Sequence, residues 1–231
     1  MLPDEPPMEA AEHASTARRN PLLHLPAYSF TDAARLAQAS PQNVRRWFRG
    51  YHAPSHHMDH VLPSGGRAVL SYLQLVDVTF VASFQRLGVD LDRLRSAHRY
   101  LRVTFGVEYP FARWRFATDG VHVLAAHGES IIGADRGGRL ALRRVIQERA
   151  EQFDYEDGVA LRWHPRGRGS VIVVDPRIAF GAPSVAGVPT RVLRDRYLAG
   201  EDVGALAEDF DVAPAHVDGA LDFEGVARRA A

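Results

Sequence analysis

The chain lacks cysteine altogether, and it also lacks lysine: all 28 of its basic residues, histidine aside, are arginine. Without thiols there is no cysteine nucleophile, no thiolate-ligated zinc and no disulfide frame, which fits a reducing, cytoplasmic setting. At 231 residues the chain is long enough to bury a core without such staples. Net charge is absent too, with 28 arginines against 28 acids, so the overall balance favours no polyanionic partner. No apolar run approaches the roughly 20 residues of a membrane span. The opening MLPDEPPMEAAEHAST is acidic and Pro-rich, without the basic start and apolar stretch of a secretory signal, and is expected to be a disordered leader over residues 1–26. No nucleophile–base constellation or phosphate-binding loop appears, and the expectation is a non-enzyme without cofactor or metal.

Charge is unevenly placed. Between Tyr28 and Tyr51 stand Arg35, Arg45, Arg46 and Arg49 against one acid, Asp32. Between Glu201 and Glu224 there are eight acids and no arginine. A polyanion would be drawn to the first segment and repelled by the second.

The first segment, YSFTDAARLAQASPQNVRRWFRGY, reads as two short helices. Thr31 is the expected N-cap of the first, whose Ala33, Ala34 and Ala37 give a small-residue face for close packing. Ser40-Pro41 restarts the chain as cap and first residue of the second. There Val44, Trp47 and Phe48 recur at helical spacing and should be buried, leaving Gln42, Asn43, Arg45, Arg46 and Arg49 to face outward. Two helices joined by a short turn, the second polar and basic outside, form the helix-turn-helix pattern. Arginine can fork onto phosphate or guanine, and Gln or Asn can pair with adenine. The candidate DNA-contacting set is Ser40, Gln42, Asn43, Arg45, Arg46, Arg49, His56 and His57. The alternative for the arginines is a solvated helix face.

Residues 53–67, APSHHMDHVLPSGGR, are expected as loop, a wing whose His56 and His57 lie against phosphates. Four histidines, His52, His56, His57 and His60, invite a metal site, but Pro, Ser and Gly offer no rigid frame to orient ligands. From Val69 to Tyr100 two helices are expected, split at Gly88, with Asp90 capping the second and the first apolar enough to be buried on several sides. Alternation around Thr118-Asp119-Gly120 suggests a hairpin, residues 138–153 an amphipathic helix, and GVALRWHPRGRGSVIVVDP a second hairpin with Arg166 and Arg168 at its turn. Asp154, Glu156 and Asp157 are expected as helix-end and turn residues. After Pro189 three helices follow, punctuated by Gly200 and Pro214. The last pair has a helix-turn-helix silhouette, but His216, Asp218 and Asp222 on its outer face would be pushed from a DNA groove, so this module is expected to contact protein.

YSFTDAARLAQASPQNVRRWFRGY and LSYLQLVDVTFVASFQRLGVDLDRLRSAHRYL resemble MerR-like winged-helix DNA-binding domains. Over a longer span, FGVEYPFARWRFATDGVHVL, QFDYEDGVALRWHPRGRGS and VVDPRIAFGAPSVAGVPTRVL together resemble a family of VapB-type antitoxins, in which such a domain is joined to a small helical module of unknown function. The resemblance implies an antitoxin of a type II toxin-antitoxin system that binds operator DNA and neutralises a PIN-like ribonuclease toxin. It implies that Arg166 and Arg168 are candidates for reaching the toxin's acidic pocket, the alternative being an ordinary solvated turn. The alternative function is a DNA-binding transcriptional regulator whose C-terminal module senses or dimerises, with no toxin. The expected class is α+β, predominantly helical: a winged helix-turn-helix domain at 27–105, a hairpin-helix region at 106–174 and a helical module at 175–231. The two-fold symmetry of operators favours a homodimer.

Overall fold

The computed structural model of the protein describes residues 20–49, 51–53, 56–58, 62, 69–117 and 136–227. Its class is α+β and mainly helical. The chain divides into two compact units, one of residues 1–150 and 155–160, the other of 151–154 and 161–231.

In the first unit a 3-10 turn, Pro21–His24, leads into β1 (Tyr28–Ser29), α1 (Phe30–Ala37) and α2 (Pro41–Arg49). Then come β2 (Tyr51–Ala53), β3 (His56–Met58), β4 (Val69–Leu70), α3 (Tyr72–Arg86), α4 (Leu91–Phe105), a 3-10 turn at Pro110–Ala112 and α5 (Arg136–Ala150). β1 pairs antiparallel with β4, Tyr28 opposite Leu70, and β2 pairs antiparallel with β3, His52 opposite His57.

α1 begins two residues earlier than its sequence suggests. Its cap is Ser29 rather than Thr31: Ser29 Oγ accepts from Asp32 N at 3.0 Å while Asp32 Oδ2 accepts from Ser29 N at 3.3 Å, a reciprocal capping box. Thr31 is exposed inside the helix. Ala33, Ala34 and Ala37 are buried as expected, and so are Val44, Trp47 and Phe48 of α2. α1 ends at Gln38, whose φ of 55° turns the chain left-handed toward α2. The guanidinium of Arg86 reaches back from α3 to donate to Ala37 O at 3.1 Å, placing a cation on the negative end of α1 and fixing the turn that leads to α2.

α3 is buried on several sides, as its apolar density implies: twelve of its residues are inaccessible, and it too starts with a capping box, Ser71 and Gln74. Phe80 lies 5.7 Å from Phe111 and 5.4 Å from Phe116, and Phe111 and Phe116 are 4.7 Å apart. Beside these rings sits a buried polar pair, His98 Nε2 and Asp77 Oδ2, at 3.0 Å. Burial pushes the Asp77 carboxyl up, against the pull of His98. Asp90 caps α4, as expected. α5 presents Leu142, Ile146 and Ala150 at helical spacing as its buried stripe.

Three local expectations change. Residues 53–67 do not begin as loop, because β2 and β3 form a hairpin. The strand expected after Ala112 is a single bridge from Arg113 to Val159 followed by a helical turn over residues 114–117; the rest of that hairpin lies outside the described residues. Asp154 and Glu156 are strand residues: β5 (Phe153–Glu156) pairs with β6 (Val159–Trp163) across Asp157 and Gly158, both of positive φ, 49° and 72°. β6 meets the expected second strand only at the bridge from Trp163 to Val174.

In the second unit Phe153 stacks on Trp163 with ring centroids 5.9 Å apart. A 3-10 turn follows at Ala179–Gly181, then β7 (Ser184–Val185) and β8 (Val188–Pro189), paired antiparallel. Three helices complete it: α6 (Thr190–Leu198), α7 (Val203–Asp209) and α8 (Pro214–Glu224). They enclose Leu193, Tyr197, Leu206, Val217 and Leu221. α8 passes so close to the preceding segment that a Cβ on Gly219 would meet Val171 Cγ2 at 2.7 Å. Among the described residues no helix is long and apolar enough to cross a membrane.

Candidate functional site

α2 is amphipathic because its apolar residues recur three and four apart. Val44, Trp47 and Phe48 are at most 1% accessible, and Leu62 N donates to Trp47 O at 2.9 Å, so the helix is fixed along its inner side. Gln42, Arg45 and Arg49, spaced by three and four, are exposed together on the outer side, with Asn43 and Arg46 half-buried at its margin. The helix sequence PQNVRRWFR contains no acid, so the face carries three guanidinium charges. Ser40 is exposed, and its Oγ accepts from Asn43 N at 3.1 Å; its place in the candidate set is therefore as cap of the helix it starts. The Arg49 guanidinium lies 5.7 Å over the Phe30 ring, which tethers it to α1. His56 and His57 fall on β3 in the hairpin that directly follows α2. His60 lies outside the described residues. Among the described residues no group of three or more acids and histidines is placed to hold a metal ion.

The structure puts Arg166 and Arg168 on one turn but in separate contacts. Arg168 is used internally: it donates to Glu151 O at 2.8 Å, Phe153 O at 2.8 Å and Asp154 Oδ1 at 2.6 Å. Asp154 also meets His164 Nε2 at 3.0 Å. Burial would raise the Asp154 carboxyl, yet the hydrogen bonds from His164 and Arg168 hold it below its ordinary value. Extending Arg168 into another protein would break all three of its bonds. Arg166 is exposed, its guanidinium 5.5 Å over Phe223.

The acidic module is partly neutralised from within. Arg196 pairs with Glu201 at 2.5 Å and also with Asp209, and Arg194 reaches Glu224 at 3.4 Å. Asp202 caps α7 by accepting from Ala205 N at 2.8 Å. Over the whole second unit twelve carboxylates stand against nine arginines, while the first unit has nineteen arginines against sixteen carboxylates.

A further cluster escaped the sequence reading. Asp175 is fully buried and accepts from Arg177 N at 2.9 Å, Arg177 Nε at 3.0 Å, Arg177 Nη2 at 2.8 Å and Arg162 Nε at 3.2 Å. Burial raises its carboxyl, but the Arg177 and Arg162 bonds outweigh it and leave the group below its ordinary value. The one signal in the sequence was Asp175-Pro176-Arg177, in which an aspartate can accept from the amide two residues on. The contribution of Arg162, thirteen residues earlier, left no trace there.

This fold has a solved counterpart. The crystal structure of Rv2018 from Mycobacterium tuberculosis superposes with a TM-score of 0.66 at 23% identity, over 86% of this chain and 98% of that one. A Mycobacterium tuberculosis protein bearing the name "Putative antitoxin VapB45" is 23% identical over 224 residues, 86% of this chain and 93% of the relative. No family model matches the chain.

Proposed function

We propose that this protein is an antitoxin of a type II toxin-antitoxin system, which binds operator DNA and neutralises a PIN-like ribonuclease toxin by direct contact. The observation that carries the DNA half is α2 itself: Gln42, Arg45 and Arg49 stand exposed on a helix anchored by three buried apolar residues. α1 and α2 act as a helix-turn-helix, with α2 entering the major groove and the β2–β3 hairpin serving as wing beside the phosphates. Arg45 and Arg46 hold the backbone, and Gln42 and Asn43 read base edges. A homodimer meets the two half-sites of its operator. The similarity to a protein named as an antitoxin supports the other half, as does the division of charge between a basic DNA-contacting unit and an acidic protein-contacting one.

The test is binding to a duplex from the chain's own promoter, titrated at several salt concentrations. Each phosphate contact contributes a slope of about 0.9 in log K against log salt, so Arg45→Ala, Arg46→Ala together should lower the slope by about 1.8 and weaken binding to the operator and to a scrambled duplex alike, whereas Gln42→Ala, Asn43→Ala should leave the slope and reduce discrimination between the two. An unchanged slope and affinity in a folded arginine double variant would remove α2 from the interface.

A further inference from the structure

The segment from Val174 to Pro183 is a closed loop whose ends are tied together. Val173 N donates to Ser184 O at 2.9 Å and Ser184 N returns the bond to Val173 O at 2.8 Å. Within it, Asp175 binds the side chains of Arg177 and Arg162 and the amide of Arg177. Its own carbonyl accepts from Ile178 N at 2.9 Å, and Gly181 N donates to Ile178 O at 2.9 Å. So held, the tip takes three consecutive left-handed residues, Ala179, Phe180 and Gly181, with φ of 47°, 55° and 81°. Glycine adopts that region freely; a bulky aromatic there is an outlier. Such a conformation persists only where its surroundings over-determine it, and the known instances cluster at binding and switching sites. The strained backbone does not serve to bury the ring: Phe180 is 78% exposed.

A rigid, projecting aromatic is the form that an interface anchor takes, because its burial gains a large apolar area with little side-chain entropy to lose. The charges beside it indicate what it enters. Arg177 is exposed and Arg162 partly so, and Asp175 on this loop binds both guanidinium groups. The unit around them is acidic overall, which disfavours a polyanion. We propose that Phe180 is the anchor by which this chain docks its protein partner, entering an apolar pocket whose carboxylate rim meets Arg177 and Arg162. The proposal rests on the antitoxin reading, with the toxin as partner, and it assigns the contact to this loop rather than to Arg166 and Arg168.

The experiment measures Kd between the full-length chain and the product of the adjoining reading frame, which the antitoxin reading takes to be the PIN-type toxin. Phe180→Ala should weaken binding by about thirtyfold or more, the scale of an interface hot spot. Phe180→Leu should fall between the two, and duplex binding should be unchanged in both. Equal affinity for wild type and both variants would overturn the anchor while leaving the antitoxin reading intact. No complex with wild type would overturn both. A loss confined to self-association, seen by sedimentation, would make the occupant a second copy of this chain, and a loss confined to duplex binding would make it nucleic acid; either result refutes the proposal. If Phe180→Ala melts early, Phe180→Leu carries the same comparison.

Discussion

Replacing Asp175 with alanine should destabilise the second unit by about 2–3 kcal/mol. The magnitude follows from its four hydrogen bonds. A hydrogen bond to a charged group is worth about 1.5–3 kcal/mol, and losing one partner of a buried pair costs about 3–5 kcal/mol because the other charge is stranded. Here the stranded partners are not buried: the Arg162 and Arg177 side chains are 40% and 42% accessible and can hydrate. The two ion pairs therefore count for little, as exposed pairs do, and most of the loss comes from the Arg177 amide bond and the emptied carboxylate site. For a chain of this size such a change lowers Tm by about 4–12 °C. Differential scanning calorimetry measures it directly, and hydrogen exchange at the Ile178 and Gly181 amides shows whether the loop opens. Asp175→Asn keeps an acceptor for the Arg177 amide and should lose less. A Tm within a degree of wild type, with those amides still protected, would refute the claim that Asp175 holds the loop.

Three other outcomes follow from the same contacts. Asp175 and Asp154 both have carboxyls held below the ordinary 3.8, so the folded state binds fewer protons than the unfolded one. Their stabilisation should be complete above that value and lost as pH falls through the lower folded values, and Asp175→Asn should flatten that acid limb in urea titrations. Phe180→Gly should relieve the left-handed strain and raise stability by about 0.5–1 kcal/mol while weakening the partner complex, a trade-off that a purely structural loop would not show. Ser29→Ala should cost about 1 kcal/mol through loss of the α1 cap, whereas Thr31→Ala should be near neutral; equal losses at the two positions would contradict the observed helix start.

The helical parts of the fold were legible because their signals are local. Val44, Trp47 and Phe48 announce the inner face of α2 by spacing alone, and Ser40-Pro41, Asp90, Gly200 and Pro214 mark the helix boundaries. Thr31 misled because Ser29 and Thr31 are both capping types, and the choice is settled by Asp32, which answers Ser29 three residues away. The β5–β6 hairpin carried an Asp-Gly turn signal in the sequence, but QFDYEDG follows directly on a helix, and its acids resemble a helix end. What sequence spacing cannot show is a side chain spent on a distant partner. Arg168 looks free at the tip of a turn until its bonds to Glu151, Phe153 and Asp154 are seen. Phe180 carries no mark of its placement in the sequence, since nothing in AFGAP says that the backbone turns left-handed and the ring projects.

The antitoxin reading is tested most directly by titrating the purified full-length chain into the product of the adjoining reading frame, which the account takes to be a PIN-type ribonuclease, while following RNA cleavage. The account predicts that cleavage falls in proportion to the chain added and stops at stoichiometric amounts. Cleavage that continues undiminished in the presence of excess chain would contradict it.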